Sequence, residues 1–363
     1  MIQAYLYHPI YLIIVIIGTV IVTKRYYGQL IFDDGVSCSS KYQSYLMPLI
    51  IALFIGFRPV SGIYFVDMAN YDVIYYALHY GKAFNFDINA ENFLFDNLFN
   101  LFGSQYYDIR LFFVVISLIY FLFTYKALTR LFGPYSFLAF IVFLGAFSTF
   151  SYATNGIKAG AAASFFLCAL GYRDKPKLAG LFLIISIGFH HSMIMPVCAY
   201  IIAYLYKNTR VYLAFWIFAL IIAVLHITYF QDLFSSYADD TGVKYLSDTS
   251  GDWGGKSGFR WDFVLYSALP IYIGYVAVVK YGLKSNTYAF LLNVYLLTNA
   301  IWMLCMYAAF TNRIAYLSWL MYPVVTIYPF FCPTFMPEQT LRLKQVIWFQ
   351  LLFTLFMNVI YYD

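Results

Sequence analysis

Long apolar runs broken by short polar stretches dominate the chain. Reading each run as a membrane crossing predicts twelve helices. They fall near Tyr5–Thr23, Ser44–Phe57, Leu111–Tyr125, Tyr135–Tyr152, Ile157–Tyr172, Leu178–Phe189, Met193–Tyr206, Val211–Thr228, Phe263–Val279, Tyr288–Phe310, Ile314–Phe331 and Val346–Ile360. Ser44–Phe57, Leu178–Phe189 and Met193–Tyr206 fall short of the roughly 20 residues a crossing helix uses. The runs are continuous rather than alternating, which excludes a membrane β-barrel. Lipid offers no partner for unpaired backbone groups, so the expected fold is an all-α polytopic integral membrane protein.

Composition supports this expectation. Of 363 residues, 63% are hydrophobic and only 11% charged. A soluble domain carries about 25% charged residues, and half that density does not coat a water-soluble surface. Disorder, collagen and a secreted disulfide scaffold are excluded on the same ground. The five cysteines, Cys38, Cys168, Cys198, Cys305 and Cys332, form no C-x-x-C pair, and most sit in apolar runs. They read as small hydrophobes. No basic block interleaved with aromatics suggests nucleic acid.

Basic residues set the sidedness. With the N-terminus outside, 14 of the 22 basic residues fall in cytoplasmic segments, against 4 of the 17 acids. This is the positive-inside bias. Fusing 178–206 into one helix flips everything after it, and the basic count becomes 12 inside and 10 outside. The hairpin arrangement is favoured, with both termini outside. No basic residue precedes the first run, so it does not read as a cleaved signal peptide. No linker, soluble domain or repeat divides the chain, giving one transmembrane domain over 1–363.

Two large loops fall outside, 58–108 and 229–262. In the first, Phe95, Leu98, Phe99 and Phe102 recur at i, i+3, i+4 and i+7, with Asp96, Asn97 and Asn100 on the other face. That predicts a helix in the headgroup plane, and Val66–Tyr80 is a second candidate. The other loop carries Asp232, Asp239, Asp240, Asp248, Asp252 and Asp262 with several glycines, Trp253 and Trp261. Its spacing does not match an EF-hand. Its aromatics are suited either to stacking on sugar rings or to anchoring at the interface.

The candidate chemistry lies at the outer ends of the spans. Arg58, Arg110, Lys158 and Arg313 border apolar runs on the side the positive-inside rule disfavours. Cations there point to an anionic ligand, since Arg grips phosphate with a planar fork and Lys offers a point charge. A helix start near Ile157 adds its dipole in the same sense. The plainer reading of each is a snorkelling helix end, which weakens on the side the positive-inside rule disfavours.

All five histidines, His8, His79, His190, His191 and His226, lie on or near this side. The pair His190–His191 sits between two apolar runs, where an ionisable group is expensive and suited to proton transfer. Adjacent histidines are also metal ligands, but no H-E-x-x-H pattern or Cys partner is near, so no metal is expected. Asp67, Asn70, Tyr71 and Asp72 follow Arg58. Asp67 and Tyr71 share a helix face, suited to sugar hydroxyls or general base work, or simply to capping and solvation.

The features Arg58 with Gly62, Asp67 and Tyr71, then Asn155-Gly156-Ile157-Lys158, then Phe189-His190-His191-Ser192, then Asn312-Arg313-Ile314 with Tyr316, run from Phe57 to Tyr316. Their order resembles the EpsG family of exopolysaccharide-biosynthesis membrane proteins, related to Wzy-type polymerases. The family usually has Arg then Gln where this chain has Lys158 then Ala159. Lysine keeps the charge and loses the fork. The family's Gly-x-Asp spacing is stretched here between Gly62 and Asp67.

The resemblance implies a GT-C-like glycosyltransferase in the bacterial inner membrane. It would polymerise undecaprenyl-diphosphate-linked oligosaccharide repeat units on the outer face into exopolysaccharide, capsule or O-antigen. It implies membrane lipid as surroundings, a chain-length regulator and export machinery as partners, and no cofactor. Arg58, Lys158 and Arg313 would hold the diphosphate, and Tyr71, Asn155, Asn312 and Tyr316 would contact substrate. His190 or Asp67 would act as base, with His191 orienting a phosphate or His190. Two alternatives remain. One is another glycan enzyme: an O-antigen-type ligase, a single-sugar transferase or an O-acyltransferase. The other is a transporter or flippase.

Overall fold

The apolar runs of the sequence all become helices. The computed structural model describes residues 2–25, 44–79, 84–231, 258–308 and 311–361, and no strand occurs among them. In chain order the helices are α1 (Tyr7–Arg25), α2 (Leu46–Gly56), α3 (Val66–His79), α4 (Phe93–Ser104), α5 (Ile109–Phe132), α6 (Ser136–Leu144), α7 (Phe147–Thr154) and α8 (Ile157–Gly171). They continue with α9 (Pro176–Phe189), α10 (Ile194–Leu205), α11 (Thr209–Val224), α12 (Trp261–Gly274), α13 (Asn286–Leu304), α14 (Thr311–Trp319), α15 (Tyr322–Ile327) and α16 (Gln339–Phe356).

Five helical stretches among the described residues are long and apolar enough to cross a bilayer: Ala4–Arg25, Ile109–Leu144, Trp261–Lys280, Asn286–Leu304 and Gln339–Ile360. A sixth crossing forms if α14 and the α15 segment, bent by 43°, act together. The expected runs near 44–57, 157–172, 178–189, 193–206 and 211–228 become shorter apolar helices of 10–17 residues. The chain is thus an all-helical, polytopic membrane-type protein.

The chain divides into two compact units, Met1–Ile194 with Thr340–Asp363, and Met195–Gln339. The first is built around the 24-residue α5, which packs against α2 and α8, while α9 packs on α8. Two close approaches require glycine. A Cβ at Gly56 would stand 2.7 Å from the Val114 Cα, and one at Gly160 would stand 2.6 Å from the Tyr152 carbonyl oxygen.

The run expected at Tyr135–Tyr152 divides at Gly145-Ala146 into α6 and α7. Breaking a helix in an apolar setting leaves carbonyls that need donors. Side chains distant in sequence supply them. Tyr11 Oη donates to the Leu144 oxygen at 2.6 Å, Thr354 Oγ1 to the Gly145 oxygen at 2.9 Å, and Gln350 Nε2 to the Val142 oxygen at 2.8 Å. Both the first and the last helix therefore close this break.

The second unit centres on Asn299, which is fully buried. Its Nδ2 donates to Ser267 Oγ at 3.0 Å and Ser318 Oγ at 2.9 Å, and its Oδ1 accepts from Trp216 Nε1 at 2.8 Å. Trp319 Nε1 also donates to Ser267 Oγ, at 2.8 Å. This satisfied polar knot ties α11, α12, α13 and α14 in one register.

Of the features named in the loop 229–262, Asp232, Asp239, Asp240, Asp248, Asp252 and Trp253 lie outside the described residues, as does Cys38. Cys168, Cys305 and Cys332 are buried, and Cys198 is exposed.

Candidate active site

The amphipathic segment at 95–102 forms α4, with Phe95 and Phe99 buried as its period predicts. Its polar face departs from the expected pattern at Asn97, which is buried rather than facing water. Asn97 Nδ2 donates to the Asp87 and Phe93 oxygens, and its Oδ1 accepts from the Asp87 N–H, all at 2.7–2.8 Å. It pins the approach segment before α4 against the helix.

Tyr71 lies on α3, its ring 5.9 Å from both Phe95 and Phe99, so it packs α3 onto α4. Asp67 is in the first turn of α3, where a carboxylate suits the helix dipole. It makes no hydrogen bond or ion pair to the histidines among the described residues.

Lys158 is the second residue of α8. A cation at a helix N-terminus opposes the dipole, so its placement needs compensation. Asp96 supplies it: Lys158 Nζ donates to Asp96 Oδ1 at 2.9 Å, and both side chains are partly exposed. The ammonium also stands 5.0 Å from the Phe95 ring centroid. The other Asp96 oxygen accepts the Asn92 N–H at 3.0 Å. Asn92, the N-cap of α4, in turn accepts the His191 N–H through Oδ1 at 3.2 Å.

A continuous polar chain thus runs from Lys158 through Asp96 and Asn92 to the His190–His191 break. There the backbone leaves α9 with His190 extended at φ −153°, ψ 116°. Residues 178–206 are therefore not one uninterrupted helix. His190 Nδ1 accepts from the Ser192 N–H at 3.4 Å and stands 3.2 Å from Ser192 Oγ. His191 Nδ1 lies 2.9 Å from Glu91 Oε1.

Arg58 is 1% exposed. Its Nη1 donates to the Ile55 oxygen at 2.9 Å and its Nη2 to the Thr154 oxygen at 2.8 Å. These are C-terminal carbonyls of α2 and α7, where a cation complements the dipoles. Phe65 and Phe113 cover the guanidinium, with centroids at 5.5 and 5.1 Å. Burial lowers its pKa to about 9, which leaves it charged at neutral pH. Its buried Nε has no partner among the described residues. Asn155, the C-cap of α7, likewise keeps a buried Oδ1 with no partner among them. Arg110 is engaged by Asp108, the N-cap of α5, whose carboxyl its hydrogen bonds hold below the usual range.

Arg313, Asn312 and Tyr316 belong to the second unit. Arg313 is exposed on α14, and the Tyr316 ring lies 5.4 Å from Trp319. Sequence reasoning missed an ion pair there. Arg260 and Asp262, at the start of α12, are both buried and join at 2.6 Å, with the guanidinium 3.5 Å from the Phe263 ring centroid. In the first unit it missed Glu91 and Asn92, and read Asp96 only as part of a solvated face. The pair preceding an amphipathic helix was the one signal available for Asn92. No group of three His, Cys, Asp or Glu side chains suited to a metal occurs among the described residues.

The chain matches the EpsG family over residues 41–363. It belongs to the EpsG family. No curated protein and no solved structure matches it. The EpsG match takes in Arg58, Asp67, Tyr71, Asn155, Lys158, His190, His191, Asn312, Arg313 and Tyr316. It also takes in Glu91, Asn92 and Asp96, which connect Lys158 to the histidine pair. Membership and helical architecture together make this a membrane protein of an exopolysaccharide-biosynthesis family.

Proposed function

We propose that this EpsG-family protein polymerises oligosaccharide repeat units carried on undecaprenyl diphosphate. It would work at the outer face of the bacterial inner membrane, as a single GT-C-like transmembrane domain with both termini outside. The observation that carries this reading is the contact chain Lys158–Asp96–Asn92–His191. It places a cation at a helix N-terminus within two side chains of a histidine pair at a helix break.

Chemically, glycosyl transfer from a lipid diphosphate needs two things. Charge developing on the leaving diphosphate must be stabilised, and the acceptor hydroxyl must lose a proton. Lys158 supplies the first, together with the backbone N–H groups at the start of α8. Arg58, buried beneath Phe65 and Phe113, contributes a fixed charge behind the α7–α8 junction. Asn155, at the same junction, is proposed as a substrate contact. The helices α3 and α4 are proposed as guides for the polyprenyl tail. The lipid diphosphate is itself the leaving group, so no nucleotide sugar is required. A chain-length regulator and export machinery are the proposed partners.

Purified protein incubated with a synthetic polyprenyl-diphosphate repeat unit tests the reading. A ladder of lipid-linked products supports it. Transfer of finished chains to another acceptor marks a ligase, changed acetyl content an acyltransferase, and movement without covalent change a carrier.

A further inference from the structure

The end of the first unit away from Lys158 and the histidines carries a second group of cations. α5 and α8 end there and α9 begins, before α9 runs on to the His190 break. The 14 residues of α9 set the two ends roughly 20 Å apart, at about 1.5 Å per residue. Lys126 and Arg130 on α5 meet the α8–α9 turn, which holds Arg173, Asp174, Lys175 and Lys177. Asp174 is the one carboxylate in these two stretches, and Arg130 takes it in an ion pair, with its guanidinium 5.6 Å from the Tyr172 ring centroid. Lys175 and Lys177 are exposed and make no ion pair among the described residues.

Exposed cations at a helix turn are what membrane sidedness alone produces. Lys126 is different. It lies inside α5, on a partly exposed stripe with Ile119, Leu122 and Phe123 at i−7, i−4 and i−3. Its Nζ stands 5.6, 6.0 and 5.7 Å from the ring centroids of Phe123, Tyr172 and Phe182, which come from α5, the end of α8 and α9. These distances are near the outer limit of cation–π attraction, about 6 Å. No ion pair or hydrogen bond engages the ammonium among the described residues. On α9, Leu178 and Ile185 share the Phe182 stripe at i−4 and i+3 and are also partly exposed. The Phe123 and Phe182 rings lie 6.4 Å apart, and Phe165 of α8 lies 4.5 Å from Phe123 beneath them. An apolar groove between α5 and α9 therefore ends at a cation that has no counter-ion.

We infer that this groove binds an anionic phospholipid. Lys126 takes the phosphate diester, Lys175 and Lys177 add charge at headgroup level, and an acyl chain lies between the two apolar stripes. The charge pattern selects the headgroup. Phosphatidylglycerol brings a phosphate and no cation, whereas a choline headgroup would place its own positive charge beside three lysines. In the topology proposed above, this is the inner-leaflet end. The inference does not depend on the glycosyl-transfer reading, and its test needs no turnover.

Full-length protein in a non-ionic detergent is titrated with phosphatidylglycerol and, separately, with phosphatidylcholine of the same acyl chains. Bound lipid is counted by native mass spectrometry, and the unfolding temperature is read alongside. Phosphatidylglycerol is expected to bind at least about fivefold more tightly and to raise the unfolding temperature. Lys126→Gln should abolish that preference and leave phosphatidylcholine binding unchanged, while Lys126→Arg should keep it, since either cation meets a phosphate oxygen. The double variant K175Q/K177Q should lose less than Lys126→Gln, and its loss should fade at high salt, because exposed charges are screened. Affinity is compared per folded molecule, and Lys126→Met, which keeps an apolar stem in the groove, repeats the comparison where Lys126→Gln folds poorly. Equal binding of the two lipids by the wild-type protein would overturn the inference. A preference that survives both Lys126→Gln and Lys126→Met but disappears in K175Q/K177Q would overturn the groove in favour of diffuse surface attraction.

Discussion

The Arg58 guanidinium donates through Nη2 to the carbonyl oxygen of Thr154 at 2.8 Å, across 96 positions of sequence. With Nη1 on the Ile55 oxygen, one buried cation terminates two helices and fixes the junction from which α8 and Lys158 start. A residue expected to hold substrate is therefore also a strut of the fold.

Removing it has a calculable effect. Hydrogen bonds to a charged group contribute about 1.5–3 kcal/mol each. Arg58→Ala is expected to destabilise the protein by roughly 3–5 kcal/mol, because the Thr154 oxygen loses its donor and the Ile55 oxygen keeps only the backbone N–H of position 58. Thermal unfolding of the detergent-solubilised protein checks this. Arg58→Lys should recover part of the loss, since a single ammonium reaches one carbonyl more easily than two. Stability unchanged in Arg58→Ala would show that the strut is not needed.

Lys158 and Asp96 separate binding from folding. The pair is partly exposed, so Asp96→Asn should lower stability by no more than about 1 kcal/mol. It also releases the ammonium from a competing carboxylate, and KM for the lipid diphosphate should fall. Lys158→Ala should raise KM and lower kcat, and Lys158→Arg should retain function. A rise in KM for Asp96→Asn would mean that Asp96 serves to aim Lys158 rather than to compete for it.

Gly160→Ala places a methyl carbon 2.6 Å from the Tyr152 carbonyl oxygen, and Gly56→Ala places one 2.7 Å from the Val114 Cα. In both cases the obstacle is backbone, which has no rotamer to change. Each substitution should destabilise by about 1–3 kcal/mol. Gly180→Ala, where nothing lies within 4 Å, is the matched control and should be neutral or stabilising. The same thermal measurement orders the three.

Asn299 is the hub of the second unit, and Asn299→Ala strands the Trp216 N–H with no acceptor. The expected loss is about 2–4 kcal/mol, larger than for Ser318→Ala, which frees one Nδ2 hydrogen and removes a hydroxyl bond to the Ala315 oxygen. Equal effects of the two substitutions would show that the knot is not centred on Asn299.

The pattern of apolar runs was enough to place the helices, because lipid forces every backbone group to be satisfied within its own segment. The 3.6-residue period was enough to find α4, since burying Phe95 and Phe99 needs only one face. The cations and histidines stood out because charge beside an apolar run is expensive. Where those side chains point was not legible. Arg58 turns inward to carbonyls supplied by Ile55 and by the distant Thr154. Asn97 leaves the polar face to hold Asp87, and the break after Leu144 is closed by Tyr11, Gln350 and Thr354. Glu91 and Asn92 did not stand out, and Asp96 read only as part of the polar face, until packing brought the start of α4 to Lys158 and the α9 end. Local sequence determines which segments become helical. The partners of a buried or half-buried polar group are decided by which segments the tertiary fold brings within 3 Å, a relation that no short-range periodicity contains.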